Sequence, residues 1–310
     1  MDVVYGDVTL GVHGKDFDYI FSYQTGGPES FVAGGLEWLY RTPKPTFWRA
    51  TTCNDRGSHF PHKASMWMGA DMFIETTGVE VLVDDAPLTG FLAPDNSRLI
   101  GSGYEHPASV EVRYTYATTT VPSATVTVGY RVVRTGDVLV LVRYEGVPGL
   151  PELPAFGMRF VMPSLATGYD YRGLEGETYP DRMAGARRGT FSVSGVPLTP
   201  YLVPQECGMH MDTDFVIVSR TGTGDRTARL TFRRHDRRFA FSLLPYTALE
   251  LENATHQEEL PPARRTVLCV MGAVRGVGGI DSWGSDVEPA YRIPSDQDIV
   301  YSFVISPSQR

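Results

Sequence analysis

Short runs that alternate apolar and polar residues, with glycine or proline between them, recur along most of this chain. A period of two is the mark of strands with one face buried. Phe17 to Tyr23, Val79 to Val83, Val110 to Tyr116, Ala124 to Val133 and Val138 to Tyr144 read as such strands, the last two joined by a turn at Gly136-Asp137. Phe156 to Met162, Phe215 to Val218, Ala228 to Phe232, Phe239 to Leu243, Val267 to Met271 and Ile299 to Ile305 follow. With 32 Gly and 22 Pro in 310 residues, turns are frequent enough to join short strands throughout. The pattern predicts an all-β, antiparallel sandwich with one or two short helices.

Two segments break the alternation. Ala64 to Phe73, rich in Met and Trp, reads as a short helix. Thr247-Ala248-Leu249-Glu250 fits a capping box, so a helix is expected from Thr247 to about Thr255, ending before Pro261-Pro262. No internal repeat or low-complexity linker appears. The Pro-rich stretch from Val147 to Pro154 is short and flanked by strands, which favours a loop over a hinge, and residues 1–310 read as one domain.

Composition excludes several classes. A net charge of −8 lacks the basic footprint of a nucleic-acid or anionic-membrane binder. Cys53, Cys207 and Cys269 are odd in number and widely spaced, so free thiols and no zinc site are expected. The N-terminus has no basic segment leading into an apolar run, and nothing approaches a membrane span of ~18 apolar residues. The Asn253-Ala254-Thr255 sequon is read as chance, and a cytoplasmic protein is expected.

An autonomous active site is hard to find. There is no G-x-S-x-G elbow, P-loop, H-E-x-x-H or dinucleotide fingerprint. Glycoside hydrolysis needs two carboxyl groups across a sugar, ~5–5.5 Å apart for retention of configuration. Glu175, Glu177, Asp181, Glu250, Glu252, Glu258, Glu259 and Asp281 are candidates, but surface pairing or capping accounts for each equally well.

Six aromatic- and Gly-rich segments are more informative. The first is F-W-R-A followed by Asn54-Asp55-Arg56-Gly57. The others are Gly157 to Pro163, Tyr171 to Arg182 ending in Y-P-D-R, Pro200 to Gly208, Ser242 to Leu260, and G-V-G-G-I-D-S-W-G from Gly276 to Gly284. In this order they resemble the C-terminal small-chain domain of the β-galactosidases of glycoside hydrolase family 2, over residues 2 to 306. A chain starting at that domain is similar to the separate small subunit of heterodimeric bacterial β-galactosidases.

The resemblance implies a supersandwich like that of galactose mutarotase. It also implies that the catalytic glutamates, with Mg2+ and Na+ as candidate ions, belong to a large subunit, and that this chain carries no catalytic residue, cofactor or metal of its own. The partners implied are that subunit, in an obligate heterodimer, and a galactoside such as lactose. Trp283 matches the family tryptophan that stacks on the aglycone sugar, on a loop shaped by Gly278, Gly279 and Asp281. Gly57 matches the start of a mobile active-site loop, continued through Ser58 and His59 to Lys63. Trp48, Arg49, Asn54, Asp55, Arg159, Tyr179, Asp181, Arg182, His256 and Glu259 are implied to brace the structure or the subunit interface.

Cys53 departs from the family, which more often has Asp there, and the third segment lacks the Gly-Pro often found before its Glu. Two other readings stay open. A stand-alone aldose 1-epimerase would need a His base and a Glu acid in one cleft, drawn from His210, His256, Glu206 and Glu259. A non-enzymatic carbohydrate-binding or scaffold domain would use Trp283 as its platform.

Overall fold

The computed structural model describes residues 1–222, 224 and 226–307, arranged as three antiparallel sheets. An N-terminal meander comprises Asp2–Tyr5, Thr9–His13, Phe17–Ser22, Gly27–Ala33 and Leu36–Glu37. A ten-stranded sheet follows the spatial order Arg188–Ser194, Gly168–Leu174, Phe215–Thr221, Thr227–Arg234, Ile299–Pro307, Val138–Tyr144, Thr125–Val133, Ser109–Ala117, Glu75–Val83, Ala86–Pro87. The third sheet is Met209–Thr213, Phe239–Leu244, Thr266–Val274, Ala155–Met162 and Arg41–Thr46.

Alternation explains how the sheets stack. Val138, Val140, Val142 and Tyr144 are buried, while Leu141 on the other face is 47% exposed. The register sets Tyr144 opposite Val126 and Val140 opposite Tyr130, so these four side chains share one face. Tyr130 on that face meets Phe21 of the meander, ring centroids 5.9 Å apart, and Tyr144 meets Phe156 of the third sheet at 5.5 Å. The two five-stranded sheets therefore lie side by side on one face of the ten-stranded sheet, the expected supersandwich. One apolar cluster, including Phe21, Tyr130, Phe156 and Phe303, runs through all three.

The strands read from alternation all form, some longer than predicted; Val138–Tyr144 matches end for end. Among those that alternation did not reveal, Arg41–Thr46 contains Pro43 and Pro45 and sits at a sheet edge, where missing N–H donors are tolerated. The stretch from Val147 to Pro154 is stitched into the body by Val147 N–H to Ser295 O (2.8 Å) and Leu153 N–H to Ile293 O (3.0 Å).

Among the described residues there are three short α-helices: α1 (Cys53–Gly57), α2 (Phe60–Lys63) and α3 (Ala248–Asn253). The Thr247–Glu250 capping box forms, and α3 ends two residues earlier than expected. The helix predicted over 64–73 does not form. Only Ser65–Trp67 makes a 3-10 turn, and Gly69, at φ +77°, breaks the chain direction after it. Among the described residues no helix is long and apolar enough to cross a membrane.

Candidate functional site

The outward face of the third sheet carries a layer of loops, and that layer collects most of the singled-out residues. Helix α1 is its anchor. Thr52 caps it by accepting from the Asp55 N–H (3.0 Å), and the Asp55 carboxylate accepts from the Thr52 N–H (3.0 Å). This is a second capping box, T-x-x-D, in Thr52-Cys53-Asn54-Asp55.

Asp55 does a second job. Arg49 donates to it through Nη2 (2.7 Å) and Nε (3.2 Å), and both side chains are buried. The same guanidinium donates to the carbonyls of Arg275 and Gly276, each at 2.8 Å. Burial alone would lower the Arg49 pKa, but the Asp55 carboxylate outweighs it and holds Arg49 above its ordinary value. One buried ion pair thus ties α1 to the start of the loop 276–287.

Further ties fix that loop. Asp181 accepts the Val277 and Gly278 N–H groups at 2.9 and 2.8 Å, and Arg182 donates to the Gly278 carbonyl. Asn54 Nδ2 donates to Val277 O at 2.9 Å. Gly279 has φ +77°, and a Cβ there would lie 2.7 Å from Asn54 Nδ2. Gly284 has φ +84°, and a Cβ there would lie 2.5 Å from the Gly57 carbonyl oxygen. Only glycine lets the loop lie so close along α1.

At its tip the Asp281 carboxylate accepts the Trp283 N–H (2.9 Å), the Ser285 N–H (3.2 Å) and the Ser285 hydroxyl. These bonds, the Ser285 hydroxyl foremost, hold Asp281 below the usual carboxylate range. Trp283 then stands 90% exposed, whereas Trp38, Trp48 and Trp67 are buried. A large apolar ring held out in water by a pinned turn is the feature of this surface most in need of a partner.

The segment expected to be a loop from Ser58 to Lys63 is helical over Phe60–Lys63. His59 enters it in the left-handed region, φ 58°, and Ser58 is buried with its hydroxyl on Asp55 O (3.2 Å). The Arg275 guanidinium lies 3.8 Å from the Phe60 ring centroid and pairs with Glu152 (2.5 Å) and Asp286 (2.7 Å). Sequence reading missed Arg275, because a cationic side chain with no exposed surface carries no local signal.

Trp48 and Thr51 are tied to α3: Glu252 accepts from Trp48 Nε1 (3.4 Å), Thr51 N–H (2.6 Å) and Thr51 Oγ1 (2.8 Å). Tyr179 is buried beside this layer, which raises its pKa well above the ordinary value. Arg159 pairs with Asp71 across the third sheet's outward face. His256 and Glu259 form an exposed pair at 3.2 Å with Thr255, away from the Trp283 loop contacts; the Thr255 N–H first, then His256, bring Glu259 down to about 2.

The carboxylates of this loop layer are engaged: Asp55, Asp181, Asp281, Asp286 and Glu252 each satisfy backbone or guanidinium donors. Glu206 differs. Burial pushes its pKa up to about 7 against the pull of Arg49. Its cavity, shared with Arg49, Arg159 and Met209, is about 30 Å³, room for a water but not a sugar. His210 points to the other face of its strand, stacked on Phe241, with Nε2 3.1 Å from Tyr169 Oη and its pKa lowered to about 4 by burial. No His–Glu pair converges in a cleft, and among the described residues no three His, Cys, Asp or Glu side chains are grouped to hold a metal.

Residues 13–305 match the family model described as the β-galactosidase small chain. The β-galactosidase small subunit of Latilactobacillus sakei is 56% identical over 98% of this chain and 97% of its own. The β-galactosidase of Halalkalibacterium halodurans is 34% identical over 99% of this chain, which spans only 28% of that longer protein. A solved galactose mutarotase-like protein of Lactobacillus casei aligns over 97% of this chain and all of its own, at 8% identity and a TM-score of 0.43. With a family model matched over residues 13–305 and a small-subunit relative aligned along nearly its full length, the chain belongs to the β-galactosidase small-chain family.

Proposed function

We propose that this chain is the small subunit of a retaining β-galactosidase that hydrolyses terminal β-D-galactosides such as lactose and also transfers galactose to sugars. It completes the acceptor side of an active site whose catalytic glutamates and ions lie on a large subunit. The observation that carries this reading is Trp283: 90% exposed, on a loop locked to α1, with its N–H held by Asp281. An indole face offers a flat apolar platform to the C–H face of a sugar ring. The partner supplies the nucleophile and the acid/base group, and this chain supplies orientation of the leaving or accepting sugar.

That a relative more than three times as long contains the whole of this chain's match supports a separate large partner. The assembly is taken to be an obligate heterodimer, with more than ~2,000 Å² buried. The free thiols of Cys53, Cys207 and Cys269 suit a cytoplasmic setting.

The test is hydrolysis of a chromogenic β-galactoside by this chain, by a large subunit, and by the two mixed. Activity only in the mixture is expected, and Trp283→Ala there should weaken acceptor sugars more than galactose. Full activity from this chain alone overturns the division of labour.

A further inference from the structure

A concave site lies where the edge strand Arg41–Thr46, the start of α3 and the 261–267 segment meet. Its volume is about 270 Å³, just under the ~300 Å³ at which drug-sized pockets begin. Arg41, Arg264 and Arg265 line it, with Glu250 as its one acid. One of the Glu250 oxygens, Oε2, accepts the Thr247 N–H (2.7 Å) and hydroxyl (2.8 Å).

The three guanidinium groups make no salt bridge among the described residues, although neighbouring Arg159 is paired with Asp71. Arg265 is held in place by stacking, its Cζ 3.3 Å from the Tyr40 ring centroid, and its buried Nε–H has no acceptor. Tyr246 Oη donates to Pro261 O (2.8 Å), which fixes the rim. Burial first, then the nearness of Arg159, lowers the pKa of Arg41 against the pull of Glu250, so three guanidinium groups share a single carboxylate here. Arg41 and Arg264 are exposed, so the hollow is open to an anion from solvent.

We propose that this pocket is an oxyanion site for a phosphate group, either free phosphate or phosphate carried on a small sugar. Three arginines lining one small open hollow offer several N–H donors, which match the several acceptor oxygens of a dianion better than a single carboxylate. The site is independent of the galactosidase reading and of Trp283.

The experiment titrates the full chain into inorganic phosphate at fixed ionic strength and follows the phosphorus NMR linewidth. Sodium chloride of equal ionic strength is the control, and a hexose 6-phosphate forms a second arm. Broadening that saturates and is absent with chloride is expected. Arg264→Gln, an exposed substitution, and Arg41→Gln should each weaken binding roughly tenfold, with melting temperature showing that the fold persists. Tighter binding of the sugar phosphate, in competition with phosphate, identifies the esterified source; equal binding identifies the free ion. Unchanged titrations in both variants overturn the proposal. It also falls if the variants bind phosphate normally but fail to assemble with the large subunit, since the cluster then serves a protein contact.

Discussion

Asp55→Asn is the sharpest test of how the Trp283 loop is held. The substitution keeps size and one carbonyl oxygen, which can still accept from the Thr52 N–H, but removes the charge facing Arg49. Removing one partner of a buried pair costs about 3–5 kcal/mol. Arg49 retains the carbonyls of Arg275 and Gly276 as acceptors, so the lower end, about 3 kcal/mol, applies. At about 2–4 °C per kcal/mol for a large domain, the melting temperature should fall by roughly 6–12 °C. Circular dichroism during heating and in urea measures this. The double variant Arg49→Met/Asp55→Asn should lose less than the sum of the singles, by about 1 kcal/mol or more, because no lone charge remains buried. Hydrogen exchange gives the local readout: amides in 276–287 should exchange faster in Asp55→Asn than in the wild type, more so than those of the ten-stranded sheet. A stability within about 0.5 kcal/mol of wild type, the range of inert surface changes, would refute the view that this pair anchors the loop.

Trp283→Ala should change stability by no more than about 0.5 kcal/mol, since the ring is exposed; a melting curve checks this. Iodide should quench the fluorescence that Trp283 contributes and spare that of Trp38, Trp48 and Trp67, with a large subunit restoring protection. Gly284→Ala places a Cβ against the Gly57 carbonyl at positive φ and should cost about 1–3 kcal/mol of local strain, read as faster exchange around Trp283 and a raised KM for acceptor sugars in the mixed enzyme. Glu206 has its pKa raised from 4.5 to about 7 in the fold, so between those values the native state binds more protons than the unfolded chain. Stability from this group is therefore present below pH 4.5 and lost as pH rises toward 7; Glu206→Gln should raise the melting temperature at pH 8 more than at pH 5, and an equal shift at both would contradict the burial argument.

The supersandwich was readable because alternation is a local property: Val138 to Tyr144 displays its buried face in its own sequence, and a β-sheet must put that face against something. Caps are readable for the same reason, Thr247 to Glu250 and Thr52 to Asp55 alike, since each box spans four residues. Edge strands such as Arg41–Thr46 were not, because an edge needs neither full alternation nor every N–H. Within the site, the motifs around Asp55 and Trp283 stood out singly, but nothing in either segment says that Gly284 lies against Gly57 or that Arg49 spans to Gly276.

Sequence alone thus determined which stretches become strands, where α3 begins and which family the motifs resemble, since each depends on residues a few positions apart. Tertiary structure decided that Arg275 is wholly buried between Phe60, Glu152 and Asp286, that Glu206 lines a cavity the size of a water, and that three arginines without a salt bridge among the described residues line one hollow. Those outcomes depend on groups far apart in the chain, where Coulomb attraction and desolvation take their values only once the sheets have stacked and fixed the distances.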